Sequence, residues 1–181
     1  MALPGSRARV EQLVDNHYQA LYRYAYRLAG SAADAEDLTQ ETFCRAQTNW
    51  SQLRDPGCAK PWLFRILRNL YLHKLRSEKQ HHCLLRDDLS EVPGPLPDPL
   101  PPIDDRELQD ALAELPEAYR TPLILFYYDD FSYREIAEQM ELPLGTVMSR
   151  LARGKAHLRG RLLPAEPEPA LGGQRRGTDG L

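Results

Sequence analysis

Apolar positions recur at helical spacing along most of the chain. Between residues 10 and 28 they return every three or four residues, which predicts one amphipathic helix that ends at Gly30. A second helix is expected after Ser31, a residue that favours helix starts. A third apolar stripe runs from about Ala59 to Lys79, with Pro61 in its first turn, where proline is tolerated.

The second half of the chain repeats this pattern in shorter segments. A helix is predicted from Asp105 to Leu115, stopped near Pro116, and the next helix carries the apolar run from Leu123 to Tyr127. With no strand pattern between them, these stripes predict an all-α protein.

The stretch from Phe131 to Gly160 is expected to form two short helices joined by a tight turn. Ser132 and Glu135 have the spacing of a capping box at a helix start. Pro143 breaks the first helix, because proline lacks an N–H and disfavours helical geometry in the residue before it. Ala137 is small enough to let the two helices approach closely. The stretch therefore predicts a helix-turn-helix, whose second helix enters the DNA major groove.

Charge supports DNA contact by this second helix. Residues 144–163 contain five basic side chains and no acidic one, whereas the first helix is acidic. An all-positive helix face indicates contact with phosphates. Thr146 and Ser149 are short enough to reach phosphates or base edges, and Arg150 and Arg153 can fork onto a guanine. The alternative is an ordinary helix pair whose basic end is favoured by the helix dipole.

The net charge of −3 conceals a strong asymmetry: residues 1–80 carry +4 and residues 81–110 carry −6. In the third helix, basic residues alternate with Trp62, Asn69, Tyr71 and His73. Cations for phosphates and planar side chains for bases suit contact with single-stranded or duplex DNA. A basic helix that only keeps the fold soluble is the alternative.

The domain organisation follows from the helix pattern and the position of the prolines. Six of the ten residues from Pro93 to Pro102 are proline, which predicts an extended spacer. The fold class is therefore two small helical domains, an N-terminal helical bundle and a C-terminal helix-turn-helix domain, joined by a Pro-rich acidic linker. The expected boundaries are residues 1–80, a linker at 81–104, the second domain at 105–163 and a disordered tail at 164–181.

Catalytic and metal chemistry find no support in the sequence. No nucleophile, phosphate-loop or zinc-protease motif appears, so no enzyme activity and no cofactor are expected. His81, His82 and Cys83 are adjacent rather than spaced as zinc ligands are. The three cysteines are odd in number and widely spaced, as reduced cytoplasmic thiols are, and nothing approaches 18 uninterrupted apolar residues that would insert into a membrane.

Three motifs in this order carry a family resemblance: LYRYAYRLAGSAADAEDLTQETFCRA, PWLFRILRNLYLHKLR and LPEAYRTPLILFYYDDFSYREIAEQMELPLGTVMSRLARGKAHLR. Over roughly residues 8–163, apart from the linker, the chain resembles the extracytoplasmic-function (ECF) sigma factors of bacterial RNA polymerase, a group within the sigma-70 family. The resemblance implies a factor that binds core polymerase, directs initiation at a promoter class and assists DNA melting.

The resemblance also implies residue roles. The polymerase β′ clamp helices would be bound by the segment DAEDLTQETF, through Asp34, Asp37, Leu38, Gln40, Glu41 and Phe43. The promoter −10 element would be opened and read by the loop from Asn49 to Asp55 and the third helix, through Asn49, Trp62, Arg65, Arg68, Asn69 and Lys74. The −35 element would be read by Thr146, Ser149, Arg150 and Arg153, with Lys155 on phosphate.

Further partners implied by the resemblance are the polymerase β flap and an anti-sigma factor, which no motif here identifies. The acidic linker is either a solvated spacer or, as in the family, a segment that threads the polymerase channel. The competing function is a one-component helix-turn-helix regulator whose N-terminal helices dimerise or sense a signal. A regulator has no reason to carry the DAEDLTQETF segment ahead of a basic aromatic helix.

Overall fold

The computed structural model describes residues 6–53, 55–79 and 104–163. Within these ranges the chain is helical and contains no strand. The helices are α1 (Ser6–Ala29), α2 (Ala32–Thr48), α3 (Ala59–Lys79), α4 (Asp105–Glu114), α5 (Glu117–Tyr128), α6 (Tyr133–Met140) and α7 (Leu144–Leu162). We refer to α1–α3 as the N-terminal unit and to α4–α7 as the C-terminal unit. The all-α prediction is confirmed.

Local chemistry sets the predicted boundary between α1 and α2. Gly30 has φ +73°, a left-handed conformation that glycine adopts without a steric penalty. Its N–H donates to the carbonyl of Tyr26 at 2.8 Å. The Ser31 hydroxyl accepts a hydrogen bond from the Asp34 N–H at 3.4 Å and so caps the start of α2.

The segment between α2 and α3 is more regular than the predicted loop. Trp50–Gln52 and Pro56–Cys58 each form one turn of 3-10 helix. In the second turn, the Asp55 carboxylate accepts from the Gly57 N–H at 2.9 Å. The second turn, Pro56–Cys58, contacts α3.

The helix-turn-helix is present as predicted. Ser132 and Glu135 cap α6 reciprocally: Glu135 N–H donates to the Ser132 hydroxyl at 3.3 Å, and Ser132 N–H donates to the Glu135 carboxylate at 2.8 Å. The chain leaves α6 through Glu141, which adopts a left-handed φ of 56°. Pro143 then precedes α7, so Glu141 and Pro143 both shape the turn between the two helices.

The two units pack against each other, with α1 touching α4 and α5 and α3 touching α6. Their apolar side chains form one continuous core. Across the described ranges, none of the helices is both long and apolar enough to span a membrane. The predicted proline-rich spacer, His81, His82, Cys83 and the 164–181 tail lie outside the described residues.

Candidate promoter and polymerase interfaces

The start of α7 presents one accessible polar face. Thr146 and Arg150 are half-buried, and Ser149, Arg153 and Lys155 are exposed. The opposite face packs inward through Val147, Leu151, Gly154 and Ala156. Helical geometry places residues three, four and seven positions apart on the same side. The structure therefore brings Thr146, Ser149, Arg150 and Arg153 together on the outside of the helix-turn-helix, whereas Lys155 lies on a different side of α7.

Two apolar side chains on α7 escaped the sequence analysis. Leu144 is 47% exposed and Met148 is 51% exposed, although both stand at helical spacing with the buried Val147 and Leu151. They border the apolar stripe of α7, on the side away from Thr146 and Arg153.

The predicted −10 residues on α3 are not equally accessible. Asn69 is exposed and Trp62 is half-buried. Arg65 donates to the backbone carbonyl of Glu138 in α6 at 2.8 Å. Arg68 lies 3.4 Å from the carboxylate of Glu117 in α5. Two of the arginines assigned to DNA therefore already contact residues of the C-terminal unit.

Lys74 and Asn49 also have internal contacts. Lys74 forms a 2.5 Å ion pair with Asp34 of α2. This pair joins a residue assigned to DNA to a residue assigned to the polymerase. The Asn49 side-chain amide donates to the carbonyl of Arg45 at 3.0 Å and helps to end α2.

A cavity of about 430 Å³ adjoins the predicted −10 loop. Its walls come from α1, the two 3-10 turns and the first residue of α3. The lining residues are Gln12, Leu13, Asn16, His17, Trp50, Leu53, Pro56 and Ala59. Partial burial and the nearby Lys60 lower the pKa of His17 below its usual 6.5, which favours a neutral imidazole there. The cavity thus combines an aromatic wall with uncharged polar groups.

The predicted polymerase-binding residues of α2 divide into two sets. Asp37, Gln40 and Glu41 are exposed, whereas Leu38 and Phe43 are 6% and 8% exposed and belong to the core. Glu41 forms a 2.8 Å ion pair with Arg45 one turn later. The outer face of α2 is therefore acidic and polar, and the two apolar residues support it from beneath.

One buried carboxylate was also missed. Asp129, at the end of α5, is 3% exposed, and burial raises its pKa from 3.8 to about 7, against the opposing effect of Lys60 and Arg23. Its backbone carbonyl accepts from the Lys60 ammonium at 2.6 Å. No cluster of His, Cys, Asp or Glu suited to a metal occurs among residues 6–53, 55–79 and 104–163.

Comparison with known protein families identifies both units. Residues 13–81 match the model of sigma-70 region 2, and residues 105–158 match the model of sigma-70 region 4. The two matches lie in the order of the N-terminal and C-terminal units. They define the chain as a sigma-70 type initiation factor.

Similar proteins identify the group of sigma-70 factors to which the chain belongs. The chain is 39% identical over 165 residues to the ECF RNA polymerase sigma factor SigE of Mycolicibacterium smegmatis, an alignment that covers 88% of this chain and 64% of that relative. It is 31% identical over 170 residues to SigW of Bacillus subtilis, covering 87% of this chain and 91% of SigW. The chain therefore belongs to the ECF RNA polymerase sigma factors, and it is an alternative sigma factor that directs transcription initiation.

Solved structures agree with this family. The sigma factor RpoE from Bartonella quintana, determined with the anti-sigma factor NepR, superposes with a TM-score of 0.68 at 26% identity, covering 83% of this chain and 94% of that one. The PhyR–NepR complex from Sphingomonas shares the fold, with a TM-score of 0.61 at 17% identity and coverage of 94% and 96%. The alternative of a one-component regulator is set aside, because its N-terminal helices would not be region 2.

Proposed function

We propose that this sigma factor reads its promoter with two surfaces and holds the polymerase with a third. The −35 element is read by the outer face of α7, through Thr146, Ser149, Arg150 and Arg153, with Lys155 on phosphate. The observation that carries this assignment is geometric: Thr146, Ser149 and Arg153 lie on the side of the helix away from Val147 and Leu151, which are buried, and Arg150 borders them.

The −10 element is bound by α3 and the two turns before it. Arg65, Arg68 and Lys74 supply charge for the phosphates, and Trp62 and Asn69 contact bases. The cavity beside Trp50 supports a more specific role for this region. An aromatic wall and amide groups are what an unstacked base needs for stacking and for hydrogen bonding at its edge. We assign the cavity to one extruded base of the melted strand.

The β′ clamp helices are bound by the exposed face of α2. Asp37, Gln40 and Glu41 make the contact, and Leu38 and Phe43 set the position of that face from the core. The ion pair between Asp34 and Lys74 connects the polymerase-binding surface to the −10 surface. The β flap is assigned to the C-terminal unit.

The chain supplies no catalytic group in this scheme, since the polymerase carries the chemistry. It works in the cytoplasm, where bacterial polymerase acts. The similarity to RpoE, which was solved with NepR, supports regulation of this chain by an anti-sigma factor as well. With the predicted domain boundaries at 80, 104 and 163, the first domain binds the polymerase and the −10 element and the second domain binds the −35 element.

A run-off transcription experiment tests the proposal. The purified chain and bacterial core polymerase are mixed with fragmented genomic DNA from the source organism, and the transcripts are sequenced. New start sites that share a −35 and a −10 motif, absent with either component alone, are expected. Absence of such starts, together with tight duplex binding by the chain alone, would contradict it.

A further inference from the structure

The helix α7 has a face that is separate from its buried side and from the side that carries Arg153. Leu144 and Met148 are 47% and 51% exposed on this face, and Ala152 and Lys155 are exposed as well. Spacings of four, four and three residues place these side chains in one row, which we call the outer strip of α7. Within the described part of the chain, two large apolar side chains are thus left uncovered beside a cation.

A segment of complementary composition follows α7 directly in the sequence. Residues 164–171 read PAEPEPAL and lie outside the described residues. They combine two carboxylates, Glu166 and Glu168, with one large apolar side chain, Leu171. Residues 144–163 contain five basic side chains and no acidic one, so these glutamates are the first acids after a wholly basic helix. Charge and apolar character therefore match between this segment and the outer strip of α7.

The exit from α7 allows the chain to turn back. Leu163 follows the helix with φ −103° and ψ 133°, an extended conformation. Pro164 comes next, and a residue that precedes proline prefers this extended geometry. The chain therefore leaves the helical path at Leu163, and the segment that follows can run back along the outside of α7.

The segment is long enough to cover the outer strip. From Leu162 back to Met148, α7 extends over about 21 Å, at about 1.5 Å per residue. The nine residues that lead from Leu162 to Leu171 span about 28 Å, at the rise of about 3.1 Å that proline-rich chains adopt. On this extended path, Glu168 lies about 9 Å from Leu171. Along the helix, Lys155 lies about 10 Å from Met148, so one antiparallel arrangement satisfies the charged and the apolar contact together.

We propose that residues 164–171 fold back on the outer strip of α7 and compete with promoter DNA for Lys155. In this arrangement Glu168 pairs with the Lys155 ammonium. Leu171 covers the exposed side chain of Met148. The inference rests on the proposed function in one respect, the assignment of Lys155 to a DNA phosphate. A phosphate has to displace Glu168 before it reaches that ammonium, so the segment weakens binding of the −35 element.

Cross-linking tests where the segment lies, without any DNA. Leu171→Cys is combined with Met148→Cys in a full-length chain whose three native cysteines are changed to serine. The matched control combines Leu171→Cys with Ser149→Cys, an exposed neighbour on a different side of α7. Under mild oxidation, the first pair should form an intramolecular disulfide severalfold faster than the second. Mobility on non-reducing gels and mass spectrometry of tryptic peptides measure the two rates.

The same assay distinguishes other occupants of the outer strip. Adding Glu166→Gln and Glu168→Gln should reduce the preference for Met148→Cys, because the ion pair with Lys155 is lost. Equal rates for the two cysteine pairs would leave the strip to a partner protein and overturn the inference. Covalent dimers linked through Met148→Cys, in place of the internal bond, would indicate a second copy of the chain and would overturn it as well.

DNA binding tests the competition for Lys155. The probe is a fluorescein-labelled random-sequence duplex of about 20 base pairs, because phosphate contacts do not depend on sequence, and anisotropy is measured at one fixed salt concentration. Glu166→Gln with Glu168→Gln should tighten binding by about two- to fivefold, the factor that corresponds to one exposed ion pair. The control, Asp110→Asn with Asp179→Asn, removes the same charge on α4 and later in the tail, and it should bind as the wild type does.

A further change attributes the gain to one ammonium. Lys155→Ala, added to the variant with Glu166→Gln and Glu168→Gln, should remove the gain in affinity. No gain in the first place, or a gain that persists after Lys155→Ala, would overturn the inference. Run-off transcription separates the two proposals, because promoter-specific starts by a chain without any cross-linking preference would leave the proposed function intact.

Discussion

Gly154 of α7 lies so close to Leu123 of α5 that a Cβ atom on the glycine would sit 2.8 Å from the leucine Cδ1 and 3.3 Å from its Cγ. Leu123 is 2% exposed and has little room to move. The contact fixes how closely α7 approaches the rest of the C-terminal unit, and through it the position of the face assigned to the −35 element.

Gly154→Ala should therefore destabilise the protein. Overpacking a tight core costs about 1–3 kcal/mol, against a gain of about 1 kcal/mol in helix propensity, so we expect a net loss near 1 kcal/mol in urea unfolding. Gly160→Ala on the same helix is the control, since nothing lies within 4 Å of its added Cβ, and it should stabilise by up to about 1 kcal/mol. Equal stability of the two variants would show that Leu123 moves aside without cost.

The buried Asp129 predicts a pH dependence of the packed state. Its pKa rises from 3.8 to about 7 through burial, with Lys60 and Arg23 lowering it and Asp130 raising it. Between these pH values the folded chain keeps a proton that the unfolded chain has released. Stability should therefore fall as pH rises from about 4 to about 7, by at most about 1.4 kcal/mol per unit from this group, and then level off.

Asp129→Asn should remove that decline, because the amide does not titrate. Free energies of unfolding at several pH values measure the effect. The control is Asp130→Asn, an exposed neighbour with φ 57°, a conformation that asparagine tolerates. If wild type and Asp129→Asn show the same decline between pH 4 and 7, other groups are responsible.

Local signals made the helix-turn-helix predictable. Ser132, Glu135 and Pro143 act on neighbouring backbone, so their effect is the same in any tertiary context. The packing between the units was not predictable in this way. Tyr24 of α1 is 1% exposed and packs on Phe64 of α3, which in turn packs on Phe131 of the C-terminal unit. An amphipathic stripe shows that a surface is buried without showing what buries it.

The same limit applies to the site residues. The family resemblance grouped Leu38 and Phe43 with the acidic residues of α2 because they share one motif. Their low exposure places them in the core beneath that face. Arg65 and Arg68 were recognisable as cations suited to DNA, but their partners Glu138 and Glu117 are far along the chain, and no local pattern connects them.

Arg150 provides a test of −35 DNA recognition by α7. Arg150→Ala should weaken polymerase binding to promoters with the correct −35 motif by about 1–3 kcal/mol, the usual value of a bidentate base contact, and by much less when that motif is scrambled. Arg161→Ala is the control, because Arg161 pairs with Glu114 at 3.2 Å near the other end of the helix. An equal loss on all sequences would make Arg150 a phosphate contact.

The outer face of α2 gives the sharpest test of polymerase binding. Asp37→Arg reverses an exposed charge without disturbing the core, so it should reduce affinity for core polymerase at least about tenfold while the helical content stays unchanged, as removal of a close interfacial charge pair does. Leu38→Ala would be a poor test, because truncating a buried leucine costs roughly 2–5 kcal/mol of folding stability and confounds the binding measurement. The matched control is Glu36→Arg, an exposed charge reversal one residue earlier on a different face of α2. Equal losses for the two variants in a fluorescence binding titration would indicate general electrostatic attraction, whereas a loss confined to Asp37→Arg places the contact on the face shared with Gln40 and Glu41.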